Sequence, residues 1–185
     1  MNKIVLGITG ASGAIYAKRF IEILNNNLDK IDELAVVFTD SGRQVWNYEI
    51  DDLKIEDIPF KIYKNNDFFV PFASGSSNFN AMVVCPASMG TMGKIANSIA
   101  DNLITRTADV MLKEDRKLII VPREMPYNLI HIENMKKIVQ VGAKICPASP
   151  AFYSKPKTID EAVDTVIQKI FQLLNLDINF FRWMN

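Results

Sequence analysis

Apolar residues along this chain fall into two alternating kinds of run. The segments KIVLGIT (3–9), LAVVFT (34–39), AMVVCP (81–86), KLIIVP (117–122) and AKICP (143–147) are short, continuous and rich in β-branched residues. That pattern predicts strands buried on both faces. Between them, apolar positions recur at helical spacing. Ile15, Phe20, Ile21, Ile23 and Leu24 mark a helix over 14–26, and a second helix is expected around 44–48. A long helical region spans 88–113, broken near Asp101. The segment 126–142 begins with Pro and ends with Gly, as helices do. The last helix covers 158–176, with Thr158 as N-cap and Glu161 three residues on, the pattern of a capping box. IPFKIY (58–63), DFFVPF (67–72) and the loop ASGSS (73–77) form a less regular stretch. Strand and helix in alternation predict a Rossmann-like three-layer α/β/α sandwich with a mostly parallel sheet.

Composition narrows the classes. The chain has 185 residues, 49% of them hydrophobic, which is enough core for one domain over 1–185 with a C-terminal tail from about 177. Twenty-one basic residues balance 21 acidic ones, which argues against a general nucleic-acid binder. Two cysteines, Cys85 and Cys146, are too few for a disulfide framework, and free thiols in the cytoplasm are expected. No window approaches the ~18 apolar residues of a membrane span. The apolar run at 4–8 soon turns polar and Gly-rich, so a buried first strand explains it better than a signal peptide does.

In such a sheet, ligands bind beyond the carboxyl ends of the strands. Those ends carry Gly10-Ala11-Ser12-Gly13, then Thr39-Asp40-Ser41, then Ala87-Ser88-Met89-Gly90-Thr91, then Arg123-Glu124, then Ala148-Ser149. Glycines, Ser12 and a following helix N-terminus point to a bound anion at the first turn. The spacing Gly7, Gly10, Gly13 is not the dinucleotide fingerprint, although Asp40 stands where a nicotinamide enzyme keeps its ribose-binding acid. The turn at Ser88, Gly90 and Thr91 offers a helix N-cap, or a second set of N–H groups and hydroxyls for a polar ring. Arg106 and Lys113 share a helix face, with Asp109 positioned to pair with Lys113. Arg123 can grip a phosphate in a fork, and Glu124 can exchange a proton where burial raises its pKa.

Other candidates carry less. The acidic stretch DDLKIED (51–57) lacks the spacing of a magnesium-diphosphate motif and reads as a solvated loop. The sole histidine, His131, cannot build a zinc site and reads as structural; no G-x-S-x-G accompanies it. No metal is expected.

Taken in order, GITGASGA, ASGSS, CPASMGT, ADNLITRTADVMLKE, VPREMP, IHIENM and PASPAFYSKP resemble the motifs of the UbiX-like flavin prenyltransferases, over about 3–176. The resemblance implies an FMN site at Gly10, Ala11, Ser12, Thr39, Ser88, Met89, Gly90, Thr91 and Arg123. It implies a prenyl-phosphate site at Ser74, Gly75, Arg106, Lys113, Tyr153 and Lys169, with Tyr153 and Lys169 reaching in from a neighbouring subunit of a homo-oligomer, usually a dodecamer. Glu49 and Glu124 would stand close to the reacting centre, and Ser12 with Glu124 would move protons. Phe68, and with it Trp183, would present aromatic faces to the allyl cation. The implied reaction takes a dimethylallyl group from dimethylallyl monophosphate to N5 and C6 of reduced FMN without metal. The prenylated FMN would serve a UbiD-type decarboxylase. Two positions depart from some relatives: Phe68 stands where they have Trp, and Lys169 where they have Arg. The turn motifs alone also admit an FMN-dependent cysteine decarboxylase, and Asp40 keeps a nicotinamide-dependent reductase in view.

Overall fold

The computed structural model describes residues 2–178, so Trp183 lies outside the described residues. The strands are β1 (Lys3–Ile8), β2 (Glu33–Phe38), β3 (Lys61–Lys64), β4 (Ala81–Ala87), β5 (Lys117–Pro122) and β6 (Lys144–Ile145). The helices are α1 (Ala14–Asn25), α2 (Asp40–Glu49), α3 (Met89–Ala96), α4 (Leu103–Lys113), α5 (Leu129–Gln140) and α6 (Ile159–Leu174). The sheet order is β3-β2-β1-β4-β5-β6, and every pairing is parallel. Strand order reverses between β1 and β4, and a crevice opens there beyond the carboxyl ends.

Period-two alternation sorts the core into two layers. Ile4, Leu6 and Ile8 of β1, Leu34 and Val36 of β2 and Val83 and Cys85 of β4 pack with α1, Trp46 of α2 and α6. Val5, Ala35, Met82, Val84 and Ile120 face the other way, onto α3, α4 and α5. The sheet therefore separates α6 from α4. On the first side, Phe20 and Phe171 meet with centroids 4.9 Å apart, and Arg19 bonds both oxygens of Asp164 at 2.9 and 2.8 Å. No helix among the described residues is long and apolar enough to cross a membrane.

The structure departs from the expected elements at several points. The stretch around IPFKIY contributes the edge strand β3. The region 88–113 does break about Asp101, over 97–102, where Asn102 starts α4 with a reciprocal cap from Thr105. α5 begins at Leu129, three residues beyond Pro126, because Asn128 and His131 cap it mutually: Asn128 Oδ1 accepts from His131 N–H, and His131 Nδ1 accepts from Asn128 N–H. Thr158 caps α6, but Glu161 turns to the Lys157 N–H, which leaves the capping box half made.

Candidate functional site

The turn after β1 is the centre of the carboxyl edge. Gly13 is the N-cap of α1 and has no side chain with which to cap it. The cap comes from the far end of α2: one carboxylate oxygen of Glu49 accepts from Gly13 N–H and from Ala14 N–H, both at 2.8 Å. Burial alone would raise the Glu49 pKa. Hydrogen bonds from the Ser12 hydroxyl and from those two amides, with the charge of Arg123, outweigh it and hold the carboxyl below its ordinary value. The anion at the first amides of α1 is thus the chain's own Glu49, and a ligand phosphate must look to the rest of the edge. Arg123 Nε donates to Ser12 O at 2.8 Å, which fixes the guanidinium beside the turn.

Thr39 and Ser88 are the N-caps of α2 and α3. Thr39 Oγ1 accepts from Gly42 N–H at 2.9 Å, and Ser88 Oγ from Thr91 N–H at 3.3 Å. The buried Thr9 hydroxyl donates to Pro86 O (2.7 Å) and accepts from Ser88 N–H (2.8 Å), joining the ends of β1 and β4. Ser41 was not prominent in the sequence, yet it closes the turn. A Cβ on Gly10 would lie 2.4 Å from Ser41 Oγ and 2.6 Å from its Cβ. Gly10→Ala is therefore expected to destabilise the fold by about 1–3 kcal/mol. Gly10→Ala/Ser41→Gly should recover much of that in thermal melts; equal melting of the two variants would contradict the contact.

The residues fit FMN. Small hydroxyl side chains at Thr39, Ser41 and Ser88 line the edge, and the Cβ position of Gly90 has no neighbour within 4 Å, so the first turn of α3 leaves room for a planar ring. Glu124 is exposed and accepts from the Met125 N–H at 3.0 Å. Its expected acid–base role requires burial, which one chain does not give it. Phe68 is 42% exposed, in the segment that follows β3. Asp40 lines a separate cavity of about 320 Å³ with Arg43, Lys64 and Asp101, on the side of β2 and β3.

The expected prenyl-phosphate residues occupy two separate places. Arg106 Nε donates to Ala73 O (3.1 Å), and its Nη1 pairs with Asp109 (3.1 Å). The Asp109–Lys113 pair expected from spacing is absent from the described ion pairs: Asp109 also accepts from Ser98, while Lys113 pairs with Glu114. Lys113 ends α4 near the amino edge of the sheet, beside Gly75, about 10 Å along the helix from Arg106. Tyr153 and Lys169 line a cavity of about 390 Å³ on α6, with Cys146, Ser149 and Thr165. Burial pushes the Cys146 thiol up, and the nearby Lys169 charge opposes this. Burial also drives the Cys85 thiol well up, which disfavours its reactive thiolate form. No group of three or more metal-ligating side chains occurs among the described residues.

This crevice and its hydroxyl-lined edge define a mononucleotide-binding flavoprotein. The sequence model of the family described as Flavoprotein matches residues 1–173, and the chain belongs to that family. Within it, the chain is a member of the flavin prenyltransferases of the UbiX type. It is 46% identical over 184 residues to the flavin prenyltransferase UbiX of Methanocaldococcus jannaschii, covering 98% of both chains. A UbiX protein crystallised with FMN and dimethylallyl pyrophosphate superposes with a TM-score of 0.90 at 33% identity, covering 98% of each chain. A dodecameric FMN-dependent UbiX-like decarboxylase from Escherichia coli O157:H7 gives 0.92 at 33% identity, covering 99% of this chain and 100% of that one.

Proposed function

We propose that this protein transfers a dimethylallyl group from dimethylallyl monophosphate to N5 and C6 of reduced FMN, as a cytoplasmic homo-oligomer whose product serves a UbiD-type decarboxylase. The observation that carries this reading is its full-length relation to UbiX proteins, one of them crystallised with FMN and a dimethylallyl phosphate ester. Reduced FMN supplies the nucleophilic nitrogen and carbon. Gly10, Ala11, Ser12, Thr39, Ser88, Met89, Gly90, Thr91 and Arg123 hold it along the carboxyl edge.

The chain's own groups supply the rest. Glu49 is held ionised and accepts the Ser12 hydroxyl proton, so the pair forms a relay able to take a proton at the Ser12 Oγ. Arg106, Lys113, Tyr153 and Lys169, with Ser74 and Gly75, bind the prenyl phosphate and stabilise charge on the departing oxygen. Phe68 offers a π-face to the allyl cation, weaker than the Trp of some relatives. Lys169 offers a point charge where those relatives have a fork. Glu124 gains the burial it needs once flavin or a neighbouring subunit covers it.

Assembly is supported by an exposed apolar surface: Met125, Tyr127, Leu129, Ile130 and Ile132 lie in sequence along the start of α5. The separation of α4 from α6 by the sheet supports a phosphate site shared between copies.

Anaerobic incubation with reduced FMN and dimethylallyl monophosphate is expected to raise the flavin mass by one prenyl unit. The diphosphate, tested in parallel, should react more slowly because a more highly charged leaving group meets the same cations. Absence of any adduct would remove the reading.

A further inference from the structure

We propose that Arg116, just beyond the end of α4, is a positioning residue for the prenyl-phosphate subsite, holding the 74–79 segment so that Lys113 can lie over Gly75. This inference rests on the functional reading above. Arg116 Nη1 donates to Phe79 O at 3.0 Å and Nη2 to Gly75 O at 2.5 Å. Arg106 Nε donates to Ala73 O one step earlier. Two guanidinium groups from one helix and its exit thus bind three carbonyls within a seven-residue stretch.

The ends of that stretch are anchored by packing. Phe72 and Phe79 are buried, with ring centroids 5.1 Å apart. Between them lies Ala-Ser-Gly-Ser-Ser-Asn, small and polar, folded on short local bonds such as Ser77 N–H to Ser74 O (3.2 Å), with no apolar side chain beyond Ala73 to anchor it against the body of the fold. A Cβ on Gly75 would stand 2.1 Å from Glu114 Oε1 and 2.7 Å from Lys113 Nζ. The Lys113–Glu114 pair therefore rests on a bare Cα, and a small shift of this segment changes where the ammonium points. The planar fork of Arg116 reaches two carbonyls through two separate nitrogens, a fixed spacing that a lysine's single ammonium does not offer. The charge of Arg116 also acts on Glu114, whose carboxylate pairs with the Lys113 ammonium. Ordering Ser74 and Gly75 in advance lowers the entropy lost on binding phosphate. The flavin edge is at the other end of the strands and does not depend on Arg116.

The test uses the whole protein loaded with oxidised FMN, which permits binding without turnover. Dimethylallyl monophosphate is titrated calorimetrically into wild type and Arg116→Ala. The expected result is about a tenfold rise in the phosphate Kd, with FMN affinity unchanged. Millimolar guanidinium ion should restore part of the affinity, and with reduced FMN the KM should rise while kcat holds. Unchanged phosphate affinity, a parallel loss of FMN affinity, or no rescue would each overturn the proposal. Failure of the wild type to bind dimethylallyl monophosphate would instead overturn the functional reading.

Discussion

Lys113→Ala and Lys169→Ala proteins, each inactive alone, are expected to regain activity when unfolded and refolded together. The argument is geometric. Lys113 belongs to α4 and Lys169 to α6, and the sheet lies between those helices in one chain. A single phosphate touching both residues must draw them from different copies. Each substitution alone removes one cation from every site, costing about 10²–10³ in rate. In a random one-to-one assembly, about a quarter of the shared sites find both lysines intact, one from each neighbour. Activity of the refolded mixture near that fraction of wild type would support the shared site. A mixture no more active than the separate variants would show that the two lysines do not serve one phosphate across subunits.

Glu49 carries the second large effect, because the carboxylate that caps α1 is also, in the proposed reaction, the acceptor for Ser12. Glu49→Ala strips the cap from α1 and should lower stability by about 1–2 kcal/mol. Removing the acceptor for Ser12 should also cut the transfer rate by about 10²-fold or more. Glu49→Gln separates the charge from the shape. The folded-state pKa of Glu49 lies below its ordinary value of 4.5. Its charge therefore stabilises the folded state fully above that value, and the contribution is lost as pH falls through the folded pKa. The melting difference between wild type and Glu49→Gln should be constant from pH 7 down to about 5.5 and shrink below pH 4.5. A difference that did not narrow in acid would mean that the carboxylate charge is not what holds the turn.

Much of the fold could be read from the chain because its strands are buried on both faces and its helices are strongly amphipathic. Where that signal weakened, so did the reading. β3 has exposed ends and half-buried centres, as an edge strand does, and follows Pro59, so its pattern resembled a loop. Pro126 marks a helix start on the common proline signal, but the cap of α5 pairs Asn128 with His131, a residue outside the usual capping pattern. Asp109 had cations on both sides, Arg106 three residues before and Lys113 four after, and spacing could not choose between them. At the site, the hydroxyl and glycine residues of the carboxyl edge were visible as strand ends. The contacts of Ser41 with Gly10, of Glu49 with the α1 amides and of Arg116 with two loop carbonyls join residues at least 31 positions apart, and only the folded chain brings them together.

The Thr9 hydroxyl illustrates a wider consequence of the switch point. β1 and β4 run side by side through Gly7 and Val84 and then part to make the crevice. As they part, the Pro86 carbonyl still takes the Thr9 N–H at 3.3 Å, but the Ser88 amide must find a partner outside the ladder. Thr9 lends its side chain as a substitute rung, taking the amide of Ser88 and giving to the carbonyl of Pro86. The cleft can therefore open directly beside a dry sheet without wetting its seam. The floor beneath a flavin ring would then be as rigid as the strands themselves, while its walls are free to differ from one relative to the next.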